Sequence, residues 1–202
     1  EEATRMIGGD IDLIKTGALY HDVGKLHAPN WFIENQDGSK NPHDEIDNPI
    51  KSAEVLQAHV DEGLKYARKH RLPKPIANFI PEHQGTLKMG YFFQKAKEKN
   101  LKINENDFRY KGPIPQSKET AILMLADGCE AALRAMNINA SDIEALETIS
   151  KIIYSRQKDG QLDDSNLSKG EIFIIKRAFL NVWKRIRHRR IQYPTSKNNT
   201  FS

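Results

Sequence analysis

Cysteine is almost missing from this chain: Cys129 is the only one in 202 residues. That excludes an intrachain disulfide and fits a reducing compartment. Long hydrophobic runs are missing too. The runs that occur, Ile172-Phe173-Ile174-Ile175 for example, are far short of the roughly 20 apolar residues that a helix needs to cross a bilayer. The opening stretch Glu1-Glu2-Ala3-Thr4-Arg5 is charged and helical in character, unlike a signal peptide. What remains is 38% hydrophobic and 29% charged, the balance of a soluble, surface-rich globular domain. The length allows one domain with a substantial core.

The net charge of +4 is uneven. Residues 176–190 hold seven cations (Lys176, Arg177, Lys184, Arg185, Arg187, Arg189, Arg190) and no acid, which leaves the rest at −3. A basic end could touch nucleic acid or a membrane surface. The plainer reading, preferred here, is a solvated last helix whose cations oppose the helix dipole, so no nucleic-acid partner is expected.

The patterning reads as all-α. Residues 1–7 end a helix at Gly8-Gly9. Asp10 or Asp12 caps a second helix expected to run to about Leu26, with Ile11, Ile14, Ala18 and Leu19 at helical spacing. A polar loop with Pro29, Gly38, Pro42 and Pro49 as breakers should follow, then a helix from about Lys51 to His70. Pro73 and Pro75 precede a short helix to about Glu82-His83, and residues 87–99 read as another. A long connection, 100–116, leads to a helix capped by Ser117. Capping boxes at Ser141/Glu144 and Ser168/Glu171 open two long helices, about 142–158 and 169–190. The expected organisation is a core over 1–140, C-terminal helices over 141–193 packed on or extending it, and a disordered tail over 194–202. No internal repeat or clear linker is visible.

Five residues carry metal-ligand chemistry: His21, Asp22, His59, His83 and Asp127. Neighbours on a helix point about 100° apart, so the tips of His21 and Asp22 can converge on adjacent ions. A carboxylate can bridge two cations and an imidazole offers one lone pair. That pairing suits two ions about 3.5–4 Å apart that activate a shared water. His59 and His83, taken singly, read more readily as core residues with satisfied hydrogen bonds. Asp127 follows the apolar run Ala121–Ala126, where an unpaired carboxylate is costly. Lys25, one turn after Asp22, can steady phosphoryl charge or be an ordinary surface lysine. Gly24 permits close approach by substrate or backbone.

The run Gly17-Ala18-Leu19-Tyr20-His21-Asp22-Val23-Gly24-Lys25 resembles the core motif of HD-domain metal-dependent phosphohydrolases. More of the chain, to about residue 180, resembles the cytosolic HD domain of seven-transmembrane-helix HD proteins of the PgpH type. The matching segments are Asn41-Pro42-His43-Asp44, His59-Val60, Glu82-His83-Gln84-Gly85-Thr86, and Lys118-Glu119-Thr120 leading to Leu125-Ala126-Asp127. The resemblance implies an HD helical bundle with a C-terminal helical pair that hydrolyses cyclic di-AMP to pApA at a two-metal centre of iron or manganese. It implies His21, Asp22 and Asp127 on one ion, Asp22, His59 and His83 on the other, and Asp22 as the bridge. It also implies a cytoplasmic domain of a plasma-membrane protein; no oligomeric state is implied.

Two departures from that pattern bear on activity. Relatives carry a further ligand histidine in a His-Ser segment just upstream of the residue that matches Glu1, so an N-terminally truncated piece is expected. Many also have two consecutive histidines where this chain has His83-Gln84, and a Gln84 carbonyl is a weaker ligand than imidazole. Asn41, His43, Arg109 and Tyr110 border the substrate in one reading and are loop packing in the other. The alternatives to cyclic di-AMP hydrolysis are an HD phosphohydrolase of another nucleotide and a non-catalytic nucleotide sensor.

Overall fold

The computed structural model describes residues 1–36 and 40–190, with side chains to Arg187. The expected disordered tail lies outside these residues. The helices in order are α1 (Glu2–Met6), α2 (Ile11–Tyr20), α3 (Pro42–Ile46), α4 (Pro49–Lys69), α5 (Lys74–Ala77), α6 (Phe79–Glu82), α7 (Gly90–Glu98), α8 (Lys118–Arg134), α9 (Asp142–Lys158) and α10 (Lys169–Arg190). The described residues contain no strand; Lys88 and Arg109 form one isolated antiparallel bridge. The all-α reading therefore holds. No helix among the described residues is long and apolar enough to cross a membrane.

The caps explain most boundaries. Asp10 accepts the N–H of Leu13 and starts α2. Asn48 accepts the N–H groups of Ile50 and Lys51 and starts α4 at Pro49, slightly earlier than expected. Ser117, Ser141 and Ser168 open α8, α9 and α10, and at the last two a glutamate reaches back to the cap, as the sequence pattern requires.

Three expectations are corrected. The second helix stops at Tyr20, not Leu26, and Val23–His27 tightens into a 3-10 turn. The cause is Gly24: a Cβ there would stand 1.7 Å from the His59 carbonyl oxygen and 2.5 Å from the Gly63 nitrogen. The chain leaves its helical path to lie backbone against backbone on α4, an approach only glycine allows. Next, the 28–49 loop contains α3, begun by Asn41 as cap and Pro42 in the first turn; Pro42 starts a helix rather than breaking one. Finally, the helix expected from 87 begins at Gly90, because Lys88 is held in the bridge to Arg109.

The largest apolar cluster surrounds α8. Ala121, Ile122, Leu123, Met124, Leu125 and Cys129 pack with Ile14 and Phe79, and with Ile149, Ile153, Ile172 and Ile175 of the C-terminal pair. Each buried isoleucine or leucine contributes about 1.5–3 kcal/mol, so α9 and α10 are integral to this cluster. At the end of α10, Arg185 and Lys184 pair with Glu2 and Asp142. A second cluster joins Ala53, Met89, Phe92, Ala96 and Phe108, and a third joins Val60, Ala67 and Ile80. The site lies where α2, α4 and α6 meet beside these clusters.

Gly24→Ala should destabilise the fold by about 3 kcal/mol or more, since two backbones must part; urea denaturation checks this. Glu171 supplies a pH test. Lys118, then the Ser168 N–H and hydroxyl, hold its carboxyl down from 4.5 to about 2. A depressed carboxylate stabilises the fold above its unfolded value, and the contribution is lost as pH falls toward the folded one. The gap in urea midpoint between wild type and Glu171→Gln should therefore be widest near neutrality and close between 4.5 and about 2.

Candidate metal centre

His21 is the residue on which α2 ends, and Asp22 follows it. His59 sits in the middle of α4, and α6 ends on His83. Segments distant in sequence thus bring imidazoles to one carboxylate. His21 Nε2 lies 3.1 Å from Asp22 Oδ2, while His83 Nε2 and His59 Nε2 lie 3.4 and 3.6 Å from Asp22 Oδ1. One ligand atom each from His21, Asp22 and His83 fall within 4.8 Å of one another. His21 and Asp22 converge at a helix end, where the chain leaves α-helical geometry, rather than across consecutive positions of a regular helix.

Protonation is set by the backbone. Each Nδ1 meets a carbonyl one turn back: His21 that of Ala18 (2.8 Å), His59 that of Leu56 (2.5 Å) and His83 that of Ile80 (2.7 Å). A carbonyl only accepts, so Nδ1 holds the proton and Nε2 keeps its lone pair. That leaves lone pairs aimed at a carboxylate. His21 Nε2, His59 Nε2 and Asp22 Oδ1 are buried without a hydrogen-bond partner. Buried polar atoms seldom stay unpaired, and a cation between them satisfies every one. The residues present therefore fit a divalent metal, with backbone carbonyls orienting the imidazoles.

The charges agree with this. Burial pushes His59 down to about 4, helped by His83, so it is a neutral ligand at physiological pH. Burial alone would raise the Asp22 carboxyl, but positive charge at the facing His21 and His83 Nε2 positions outweighs it and holds the group far below the usual carboxylate range. With the ring protons turned to the backbone, that charge is the one a metal would supply. Lys25 Nζ stands 2.7 Å from Asp22 Oδ2 and also pairs with Glu34. Burial opposes its charge, yet the two carboxylates keep the ammonium above its ordinary value.

The other sequence candidates divide. Asp127 is half-buried just beyond the buried stretch Thr120–Leu125 of α8, and its charge is felt by His21 and by Tyr110. It lies outside the close group of His21, Asp22 and His83. Tyr110 reaches the centre, its ring 5.9 Å from that of His59; burial, then Asp22 and Asp127, raise its phenol, which stays protonated. Gln84 Nε2 lies 3.0 Å from His83 Nε2. Asn41 caps α3, and His43 binds the Trp31 carbonyl at 3.0 Å while packing between Trp31 and Phe92. The Arg109 guanidinium is held by Glu105, Asp159 and the Thr86 carbonyl. These three contribute packing and ties here rather than groups at the centre.

Two contributors escaped the sequence reading. Glu34 completes the Lys25 pair, and only the folding of the 28–36 loop brings it there. Glu82, 2% exposed, accepts from Thr120 Oγ1 at 2.6 Å and the Gln116 N–H at 2.9 Å. It ties α6 to the start of α8 and so holds His83 in place. The signal available was an acidic residue inside an otherwise apolar turn, Phe79-Ile80-Pro81-Glu82.

Comparison with known proteins gives the family. The HD domain family model matches residues 1–132, and the chain belongs to that family. Divalent-metal binding is a property of HD domains, and the His21, Asp22 and His83 cluster is the candidate for it here. The cyclic-di-AMP phosphodiesterase PgpH of Bacillus subtilis is 40% identical over 195 residues, covering 96% of this chain and 27% of the relative. An uncharacterized protein of Synechocystis sp. is 47% identical over 199 residues, covering 96% of this chain and 24% of the relative. The chain thus spans about a quarter of the length of the curated relatives it matches. The crystal structure of the Listeria monocytogenes phosphodiesterase PgpH HD domain in complex with cyclic-di-AMP superposes with a TM-score of 0.88 at 35% identity, covering 92% of this chain and 86% of that one.

Asp22→Asn should lower affinity for a divalent metal by about tenfold or more, since it removes the charge at which the imidazoles converge. Metal content after dialysis against manganese, measured by elemental analysis, checks this.

Proposed function

We propose that this chain is the catalytic HD domain of a metal-dependent phosphodiesterase that hydrolyses a cyclic dinucleotide, cyclic di-AMP to pApA. The observation that carries the reading is the convergence of the unpartnered His21 and His59 Nε2 lone pairs on the half-buried Asp22 carboxylate. The likeness to a PgpH HD domain crystallised with cyclic-di-AMP supplies the substrate. Two divalent ions, iron or manganese, would be held by His21, Asp22 and Asp127 on one side and Asp22, His59 and His83 on the other. The chemistry such ions supply is Lewis acidity and activation of the attacking water.

The chain's own residues do the remainder. Nδ1 bonds to Ala18, Leu56 and Ile80 carbonyls keep the imidazoles oriented before substrate arrives. Lys25, clamped by Asp22 and Glu34, brings a fixed cation to the edge of the centre, where phosphoryl charge develops. The Tyr110 phenol, protonated beside His59, is a donor for a phosphate oxygen. Water adds across one P–O3′ bond: its oxygen joins phosphorus, and a proton passes to the leaving 3′ oxygen. On the same resemblance, the domain is the cytoplasmic part of a membrane-anchored protein.

A second reading is a sensor that binds nucleotide without turnover. It draws on Gln84, whose amide nitrogen occupies the His83 lone pair that the second ion needs. Turnover by metal-loaded protein separates the two.

Manganese-loaded protein should convert cyclic di-AMP to pApA, followed chromatographically. His21→Ala should abolish this, and Lys25→Gln should lower kcat by about 100-fold with little change in KM. Cleavage of another nucleotide from a panel, with cyclic di-AMP untouched, overturns the substrate assignment.

A further inference from the structure

At the C-terminal end of α9 lies a groove of about 430 Å³, lined by Lys88, Arg109, Tyr154, Arg156, Lys158 and Asp159 among others. Its cations are not equivalent. Arg109 is neutralised by Glu105 and Asp159, and Lys88 by Glu105. Arg156 and Lys158 form no ion pair among the described residues.

Arg156 is the unusual member. Its guanidinium lies across the backbone of α8 at Gly128: a Cβ there would meet Arg156 Nη2 at 3.2 Å. Gly128 follows Asp127 directly, and the Asp127 charge is felt by Arg156. Arg156 Nε is nevertheless buried with no hydrogen-bond partner, and no described residue forms a hydrogen bond or ion pair with the guanidinium. Withdrawing a guanidinium N–H from water without a partner is costly, and because Arg156 as a whole is only partly buried, its remaining N–H groups are open to a partner that the chain does not supply. A planar guanidinium matches the oxygens of a phosphate. Lys158 adds a second cation, and Tyr154, 65% exposed at the rim, offers a ring for a base to stack on.

We propose that the groove centred on Arg156 is a second phosphate-binding site, which takes the phosphate of a nucleotide beside the metal centre. The site rests in part on the phosphodiesterase reading, because its nearness to Asp127 suits the distal phosphate of the same cyclic dinucleotide. A separate nucleotide bearing the same group is the other source, and experiment divides them.

The test is equilibrium binding of two probes to the full, metal-loaded chain: AMP and a non-hydrolysable phosphorothioate analogue of cyclic di-AMP. Arg156→Ala should weaken binding by about tenfold or more, and Arg156→Lys should recover part of the loss, with metal content held. Loss for the dinucleotide analogue, with a matching rise in KM for cyclic di-AMP, assigns the site to the distal phosphate. Loss for AMP alone assigns it to a separate nucleotide. Wild-type affinity of Arg156→Ala for both probes overturns the site, and so does a wild-type chain that binds neither. Should Arg156→Ala fail to fold by thermal melting, Arg156→Lys and the exposed Lys158→Ala carry the test, and unchanged affinity in both overturns it. A chain that cleaves no cyclic dinucleotide yet binds AMP through Arg156 keeps this site and loses the proposed function.

Discussion

The Asp22 carboxylate is the constraint around which the rest is arranged. It is a half-buried charge that faces three imidazoles and one ammonium. Left alone, a carboxylate withdrawn from water is costly. Lys25 compensates on one side, but the imidazoles cannot, because their protons are committed to backbone carbonyls on the far side of each ring. The arrangement is therefore one cation short, and that deficit is the physical content of a metal site.

Several features of the fold serve that point. Gly24 lets the turn after Asp22 press onto α4 at His59 and Gly63, which fixes the distance between the HD pair and the second histidine. Glu82 binds the head of α8 and so holds the end of α6, where His83 emerges. The buried face of α8, packed against α9 and α10, brings Asp127 to the same side. The C-terminal pair thus does more than lengthen the bundle. It gives α8 the packing that its apolar run demands, and α9 sends Arg156 back across Gly128 of α8.

Much of this was legible in the residues. The capping boxes at Ser141 and Ser168 marked α9 and α10 because a cap and its reciprocal glutamate are local chemistry, three residues apart. His21-Asp22 stood out for a similar reason, since the ligand types adjoin in one short motif. Where the reading failed, a non-local contact overrode a local preference. Gly24 permits the second helix to stop early, but what stops it is the backbone of α4 packed against that glycine. Pro42 looked like a breaker until Asn41 was seen to cap the helix that it begins.

By itself, the sequence determined the all-helical class, the long helices and the set of residues able to hold a metal. Those properties come from periodicity, caps and side-chain chemistry within a few residues. Only the tertiary structure decided which atoms face the centre, that Glu34 clamps Lys25, that Arg109 is held by Glu105 and Asp159, and that the Nε of Arg156 is buried without a partner. Each of these depends on segments that meet across tens of residues, and a side chain's protonation and free valences are set by whatever that meeting leaves unpaired.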